Sequence, residues 1–435
     1  MYPKCRCFLF ATPLSLFLVC LVLTWITYSS IQLFPRELEP EKIETWVDCE
    51  QLMSNALRDE KAPMLYRLFR KVIWWRYKRN GPRSDGEIRQ DYNEHNCSII
   101  LTNVFKVNTP TLEEKEFPIA YTIQVYKGAA LLERLLSAIY MPHNIYCIHI
   151  DIKSSEMFRR AVIKMTKCLP NVFVTRRAVN VIYYHISILQ AQLNCMHDLL
   201  QSRIQWKYLI NLVGQDYPLY DNKGLLQSLK GLYGINNIES IMMPENQKCR
   251  YTYSYEFKKY FGSEHSAYFY HPAEPKLKLP PHNISIFKGS TLVSLTRGFC
   301  EYIQNESLPN DFLSWLTDTV APEELFYSSL QQIKGVPGGQ KGNQSEWIMR
   351  ALHWYSKEKR VECHGRWMRS ICVVDFPDLA WIFGKNNRKK LFVQKSLLIS
   401  TKDFLIVSIW QRTNDLITLL YITTNMLHNF QSPYQ

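Results

Sequence analysis

Most of the short signatures that would settle a chemistry at once are missing from this 435-residue chain. No Gly-x-Gly-x-x-Gly follows the first strand-like segment, and no Gly-x-x-x-x-Gly-Lys-[Ser/Thr] occurs anywhere, which disfavours a dinucleotide oxidoreductase and a P-loop enzyme. A Gly-x-Ser-x-Gly nucleophile elbow is absent. Cysteine and histidine never take zinc spacing: Cys363 and His364 are adjacent, and Cys372 has no paired ligand motif. Nor is there an Asp-x-Asp, the two-carboxylate chelate of a divalent ion. Asp85-Gly-Glu87 is the nearest imitation and lies early in the chain. There is no tandem repeat and no low-complexity tract.

Charge is also absent from Phe8 to Phe34, and that run is long enough to cross a bilayer. Lys4 and Arg6 precede it, so the positive-inside rule places residues 1–7 in the cytosol and everything after Phe34 in a lumen. A cleaved signal peptide fits less well, because the run is long and no small-x-small site follows. The expectation is an uncleaved signal anchor. Of 12 cysteines, Cys5, Cys7 and Cys20 lie in or before it; the others are then luminal, where disulfides persist. Four sequons, at Asn96, Asn283, Asn305 and Asn343, would face the glycosylation machinery.

The formal net charge of +13 would invite nucleic acid, and Tyr66 to Arg83 interleaves basic with aromatic residues. The luminal compartment argues against that partner. A basic amphipathic stem near the membrane is the plainer reading, and excess positive charge could instead serve phosphorylated donors or acidic glycans. Apolar residues make up 46% of the chain, enough for a substantial core.

Residues 35–115 are charge-rich and weakly patterned. From there the periodicity changes. Strand-like segments at 118–126, 144–151, 171–175, 207–213 and 238–244 alternate with helical ones at 128–140, 154–168, 184–202 and 222–233. Such alternation predicts an α/β fold, a Rossmann-like, mainly parallel sheet with crossover helices over 116–395. In these sheets ligands sit beyond the carboxyl ends of the strands, which marks Tyr126-Lys127 and Asp151. Asp151 could equally cap the helix that follows. Further along, "TDTVAPEELFYSSL" (317–330) puts Glu323 and Glu324 directly after Pro322. The plain account is a helix start, with proline at the first position and both acids facing the positive end of the dipole.

Several collinear segments across residues 97–381 together resemble the animal β-1,6-N-acetylglucosaminyltransferases, the core-2 and I-branching enzymes of glycosyltransferase family 14. They include "RLLSAIYMPHNIYCIHIDIKSS", "VIYYHISILQAQLNCMHDLL", "WKYLINLVGQDYPL", "FKGS" and "APEELFYSSLQQIKGVPG". The resemblance implies a GT-A-like fold and an inverting, metal-independent transfer of N-acetylglucosamine from UDP-N-acetylglucosamine to a glycoprotein or glycolipid glycan, in β-1,6 linkage. It implies a type II Golgi membrane protein with no cofactor beyond the donor. Ala321-Pro322-Glu323-Glu324 stands at the family's Ser-Pro-Asp-Glu, making Glu324 the general base. Arg369 falls on a family arginine that neutralises the leaving diphosphate, and Lys395 on a lysine after a three-residue shift from Trp381. Val125, Asp151 and Tyr183 match donor-site positions; Glu239 and Trp354 match acceptor-side ones. The plain alternatives are a packed Tyr183, a packed Trp354 and an ordinary surface Arg369. Cys97 is expected to pair with Cys168, Cys147 with Cys195, and Cys363 with Cys372. Cys49 has no family partner left, since no cysteine follows Cys372, and Cys249 and Cys300 are additional.

Departures from the family are equally specific. Its His-His after the first strand is Tyr126-Lys127 here, and its acceptor-binding basic patch reads "ENQKCRYTY". Residues 396–435 do not resemble it. A transferase for another donor, such as UDP-xylose, and a non-catalytic glycan-binding relative therefore stay open, as does a homodimer.

Overall fold

A computed structural model describes residues 83–394, save 95, 108, 261–266, 277, 346, 356–362, 364, 369, 375–377, 383–386 and 388. The expected anchor (8–34), most of the stem and the 396–435 tail lie outside the described residues. Among the described residues no helix is long and apolar enough to cross a membrane.

The unit spanning Pro82–Thr401 is mixed α/β with a mainly parallel central sheet. Its strands are β1 (Ile119–Val125), β2 (Ile145–Ile150), β3 (Val172–Val174), β4 (Tyr208–Val213) and β10 (Ser294–Thr296), in the order β10-β4-β1-β2-β3. β1, β2, β3 and β4 run parallel, and β10 pairs antiparallel with β4. The crossovers are helical, as parallel neighbours require: α2 (Ala129–Ile139), α3 (Glu156–Lys167) and α4 (Ser187–Leu200). They follow α1 (Asp85–Glu94) and precede α5 (Asn222–Lys230).

Both faces of the sheet are covered, so its strands read as nearly continuous apolar runs. Ile119, Tyr121 and Ile123 of β1 join Leu132 and Leu135 of α2 and Phe158 and Val162 of α3 in one buried cluster. Ala120, between them in sequence, points to the other face. There it meets Leu189 and Leu199 of α4 and three later helices, α6 (Arg297–Asn305), α7 (Ser307–Trp315) and α8 (Phe326–Leu330), through Phe299, Phe312 and Phe326. Local chemistry fixes the helix starts. Ser155 Oγ accepts from Phe158 N at 3.2 Å and Asp221 Oδ1 from Gly224 N at 2.9 Å. Ser155 is therefore the cap of α3, and Asp151 is not.

The fifth strand-like segment, 238–244, departs from expectation. Only Ile241–Met242 (β6) forms a strand, and it pairs with β9 (Phe287–Lys288) outside the central sheet. A hairpin, β7 (Tyr253–Tyr260) and β8 (Ala267–Pro275), follows. Beyond "GQD", Tyr217–Pro218 (β5) joins a small ribbon with β11 (Arg350–Ala351) and β12 (Phe392–Val393). The junction is anchored by a fully buried pair, Arg350 Nη2 to Asp216 Oδ2 at 2.8 Å, while the same guanidinium reaches Asn211 O at 2.7 Å. Burial nonetheless pushes the Asp216 carboxyl up despite Arg350, the balance expected when desolvation outweighs attraction.

Cys97–Cys168, Cys147–Cys195 and Cys363–Cys372 are bonded as the resemblance implied. Cys249 is an exposed free thiol and Cys300 a buried one.

Candidate active site

Strand order reverses between β1 and β4, and open α/β sheets bind ligands in the crevice beyond the carboxyl ends of the strands at such a switch point. Gly214, just after β4, is needed there: a Cβ would sit 2.9 Å from Val125 Cγ1. Val125 closes β1, and its carbonyl accepts from Asp151 N at 3.0 Å. Asp151 is buried; its Oδ1 accepts from Lys153 N at 2.9 Å and its Oδ2 from Lys153 Nζ at 3.0 Å. Lys153 also donates to Val181 O and lies 5.8 Å from the centre of the Tyr126 ring. Two further links, Ile152 N to Val179 O at 3.3 Å and Val179 N to His149 Nε2 at 3.0 Å, draw segment 179–183 onto the strand ends. Tyr183 is 50% exposed at the rim, stacked on Tyr184 with ring centres 3.8 Å apart. It is not a core residue. Val125, Asp151 and Tyr183 thus form one edge of the crevice.

A backbone hydrogen bond joins this edge to the opposite wall. Tyr184 (φ 61°) and Ala321 (φ 50°) both hold left-handed backbone, a conformation strained for residues with a Cβ, and Ala321 N donates to Tyr184 O at 2.8 Å. Ala321 opens the turn that carries the two acids. Pro322–Glu324 is one 3₁₀ turn, offset from α8, so the two carboxylates diverge. Glu324 keeps 30% of its side chain exposed, and its Oε2 takes a 2.9 Å hydrogen bond from Arg250 Nη1. Glu323 turns inward and is buried. Burial, reinforced by the neighbouring charge of Glu324, pushes its carboxyl up to about 8. The expected helix start is present, with Pro322 at its first position and both acids in its first turn, but the left-handed Ala321 orients the turn so that Glu323 faces the core.

Glu239 is held against the same turn. Gly289 N donates to Glu324 O at 2.8 Å, and a Cβ on Gly289 would lie 1.7 Å from Glu239 O. Ser328 Oγ donates to Glu239 O at 2.9 Å and lies 3.3 Å from Glu324 O. Burial raises the Glu239 carboxyl; Lys288 and Lys390 oppose the shift, and Glu324 adds to it. Lys390 is itself lowered by burial and donates to Trp347 O.

Arg250 clasps the turn at three further points: Nε to Val320 O (3.1 Å), Nη2 to Ala321 O (2.9 Å) and Nη1 toward Gln247 Oε1 (3.5 Å). The β7–β8 hairpin fastens just upstream, where Ser254 Oγ donates to Asp318 Oδ2 at 2.6 Å and Lys276 pairs with Asp318. Neither Arg250 nor Gly289 is apparent as a site residue from sequence. Arg250 lies 74 positions from Glu324, and its only signal is the basic patch in which it sits.

Trp354 is 54% exposed and stands by a bridge to Ile371, so it is not packed away; the next residue, Tyr355, packs edge-on to Trp367 with ring centres 5.4 Å apart. Among the described residues no hydrogen bond or ring contact ties Trp354 to Glu239 or Glu324. Arg369 and Lys395 lie outside the described residues. Asn96, Asn283, Asn305 and Asn343 are all exposed. His353, Cys372 and Asp378 bring their ligand atoms within 4.8 Å of one another. The Cys372 sulfur, however, is bonded to Cys363, and only a thiolate binds metal.

A mainly parallel α/β domain with a switch point between β1 and β4 and a part-exposed carboxylate near it has the architecture of α/β proteins that bind ligands at their strand ends. The chain belongs to the Core-2/I-Branching enzyme family, whose family model matches residues 119–383. It is 40% identical over 286 residues to the Mus musculus beta-1,3-galactosyl-O-glycosyl-glycoprotein beta-1,6-N-acetylglucosaminyltransferase 4, covering 63% of this chain and 62% of that one. It is 39% identical over 316 residues to the Homo sapiens N-acetyllactosaminide beta-1,6-N-acetylglucosaminyl-transferase (72% and 76% covered). A Sus scrofa relative, the probable beta-1,3-galactosyl-O-glycosyl-glycoprotein beta-1,6-N-acetylglucosaminyltransferase 7, is 35% identical over 294 residues (66% and 67% covered). The chain thus spans less than two thirds of the length of the first of these relatives.

Proposed function

We propose that this chain is an inverting β-1,6-N-acetylglucosaminyltransferase of GT-A-like fold, anchored as a type II protein in the Golgi membrane. UDP-N-acetylglucosamine would lie along the Val125–Asp151–Tyr183 edge, and a galactose-containing glycan on the Glu239 side. The observation that carries this reading is the presentation of Glu324. One carboxylate oxygen is fixed by Arg250 while the side chain stays partly open to the crevice, beside a second acid suited to reading sugar hydroxyls. Glu324 takes the proton of the acceptor 6-hydroxyl as that oxygen attacks the anomeric carbon. The bond from that carbon to the diphosphate breaks, and UDP leaves with the electron pair. Attack from the face opposite UDP turns the α-linked donor into a β-linked product. By resemblance, Arg369 and Lys395 supply the cations for the diphosphate, so no metal is needed.

The test is transfer from UDP-N-acetylglucosamine to a β-1,3-galactosyl O-glycoside and to an N-acetyllactosaminide, with and without EDTA. Glu324→Gln keeps the shape but cannot take the proton, so transfer falls by ~10²–10⁴-fold while donor binding persists. Parent activity survives EDTA. A Glu324→Gln variant working at the parent rate would refute the base. Loss on chelation that manganese restores would refute the metal-free account.

A further inference from the structure

Glu323 has no task in the reaction just described, yet a carboxyl buried to this depth needs a reason. Only 5% of the residue is exposed, and its Oε2 has no hydrogen-bond partner among the described residues. An ionised carboxylate in that position would be a buried charge that its own backbone N–H and the attraction of Arg250 offset only in part. The pairing that would be natural for it is already taken, since Arg250 spends its guanidinium on Glu324 Oε2 and on the carbonyls of Val320 and Ala321.

We propose that Glu323 is a positioning residue: a carboxylic acid that must keep its proton for Glu324 to be presented to the acceptor. The inference rests on the reading of Glu324 as the base. The two acids are consecutive in a three-residue turn, one facing inward and one facing the crevice, with Arg250 the shared cation. While Glu323 is neutral, Arg250 is committed to Glu324. Ionisation would place a second negative charge behind the turn, which competes for Arg250 and draws the turn inward.

Among the described residues the surroundings offer no other counter-charge. The charges acting on Glu323 are Glu324 and Arg250. From α8, Tyr327 is buried and neutral, its hydroxyl donating to Gln192 of α4 at 3.1 Å. His197 and Asp198 lie at the far end of α4, Asp198 paired with Arg177. His185, ahead of α4, is disfavoured as a cation by burial and contacts Ser187 Oγ at 3.0 Å. Across the Gly289 contact, Lys288 acts on Glu239. The proton on Glu323 is the remaining means of neutralisation, and its loss near pH 8 sets the upper pH limit of transfer.

The test is kcat/KM against pH for the full chain in detergent, with parent, Glu323→Gln, Glu323→Asp and Glu324→Gln, alongside thermal melting over the same pH range. Glutamine imitates the protonated acid. The parent should lose about tenfold per pH unit above the limit, Glu323→Asp should keep a descending limb, and Glu323→Gln should lack it. Melting gives a readout independent of turnover. A carboxyl whose folded pKa lies above its unfolded one makes its full contribution to stability below about 4.5, and that contribution is lost as pH rises toward about 8. The Tm advantage of Glu323→Gln over the parent therefore grows across that window and is flat above it. An unchanged alkaline limb in Glu323→Gln, a Tm difference that ignores pH, or a Glu323→Gln as inactive as Glu324→Gln at every pH would each overturn the proposal. If Glu324→Gln transfers at the parent rate, the base assignment fails, while the Glu323 curves still report on the buried proton.

Discussion

At the residue scale, Arg250 has the largest share in the geometry of the site. It contacts the carboxylate of Glu324 and two carbonyls of the turn that carries it, so orientation of the proposed base and shape of the turn depend on one side chain. Hydrogen bonds to a charged group contribute about 1.5–3 kcal/mol, which corresponds to roughly 10- to 150-fold in rate if the loss falls on the transition state. Arg250→Gln should lower kcat within that range while the donor KM stays near the parent's, because its hydrogen bonds hold the Val320–Glu324 turn. Steady-state kinetics with each substrate varied would check this; a loss confined to donor KM would show that Arg250 serves the diphosphate instead.

At the scale of elements, Gly289 makes the approach of β9 to the turn possible. A methyl group there would meet the Glu239 carbonyl at 1.7 Å and the Ser328 hydroxyl at 2.4 Å, one of them backbone that cannot swing aside. Gly289→Ala should cost at least the ~1–3 kcal/mol of ordinary overpacking, read as a lower Tm and reduced secretion. This junction also shows what sequence can and cannot disclose. The first four strands and their helices were legible because each carries an apolar run or a helical stripe long enough to name its own period. Segment 238–244 has the same apolar look, but nothing in it says which sheet it will join, and only two of its residues became strand. Likewise Glu324 stood out through its motif. The inward turn of Glu323 depends on the left-handed backbone of Ala321, which no propensity predicts for alanine, and Arg250 arrives from a distant segment.

At the scale of the whole molecule, the disulfides constrain unequal lengths of chain. Cys97–Cys168 closes a separation of 71 residues and Cys363–Cys372 one of 9. Loop-closure entropy gives about 4 kcal/mol for the first and about 3 kcal/mol for the second. Replacing Cys97 and Cys168 together by serine should therefore lower Tm more than the same change at Cys363 and Cys372; melting of both double variants would decide, and the reverse order would contradict the entropic account. The sheet divides the site along the chain as well. The Val125–Asp151–Tyr183 edge is built before residue 184, and the wall of acids after residue 238. The hydrogen bond from Ala321 N to Tyr184 O bridges the two through atoms every residue except proline possesses. On the proposed assignment, descent with modification can therefore rewrite the later half, and with it the glycan accepted, while the earlier half keeps the nucleotide. What both lineages of change must preserve is a pair of backbone angles, which leaves almost no trace in the alphabet of side chains.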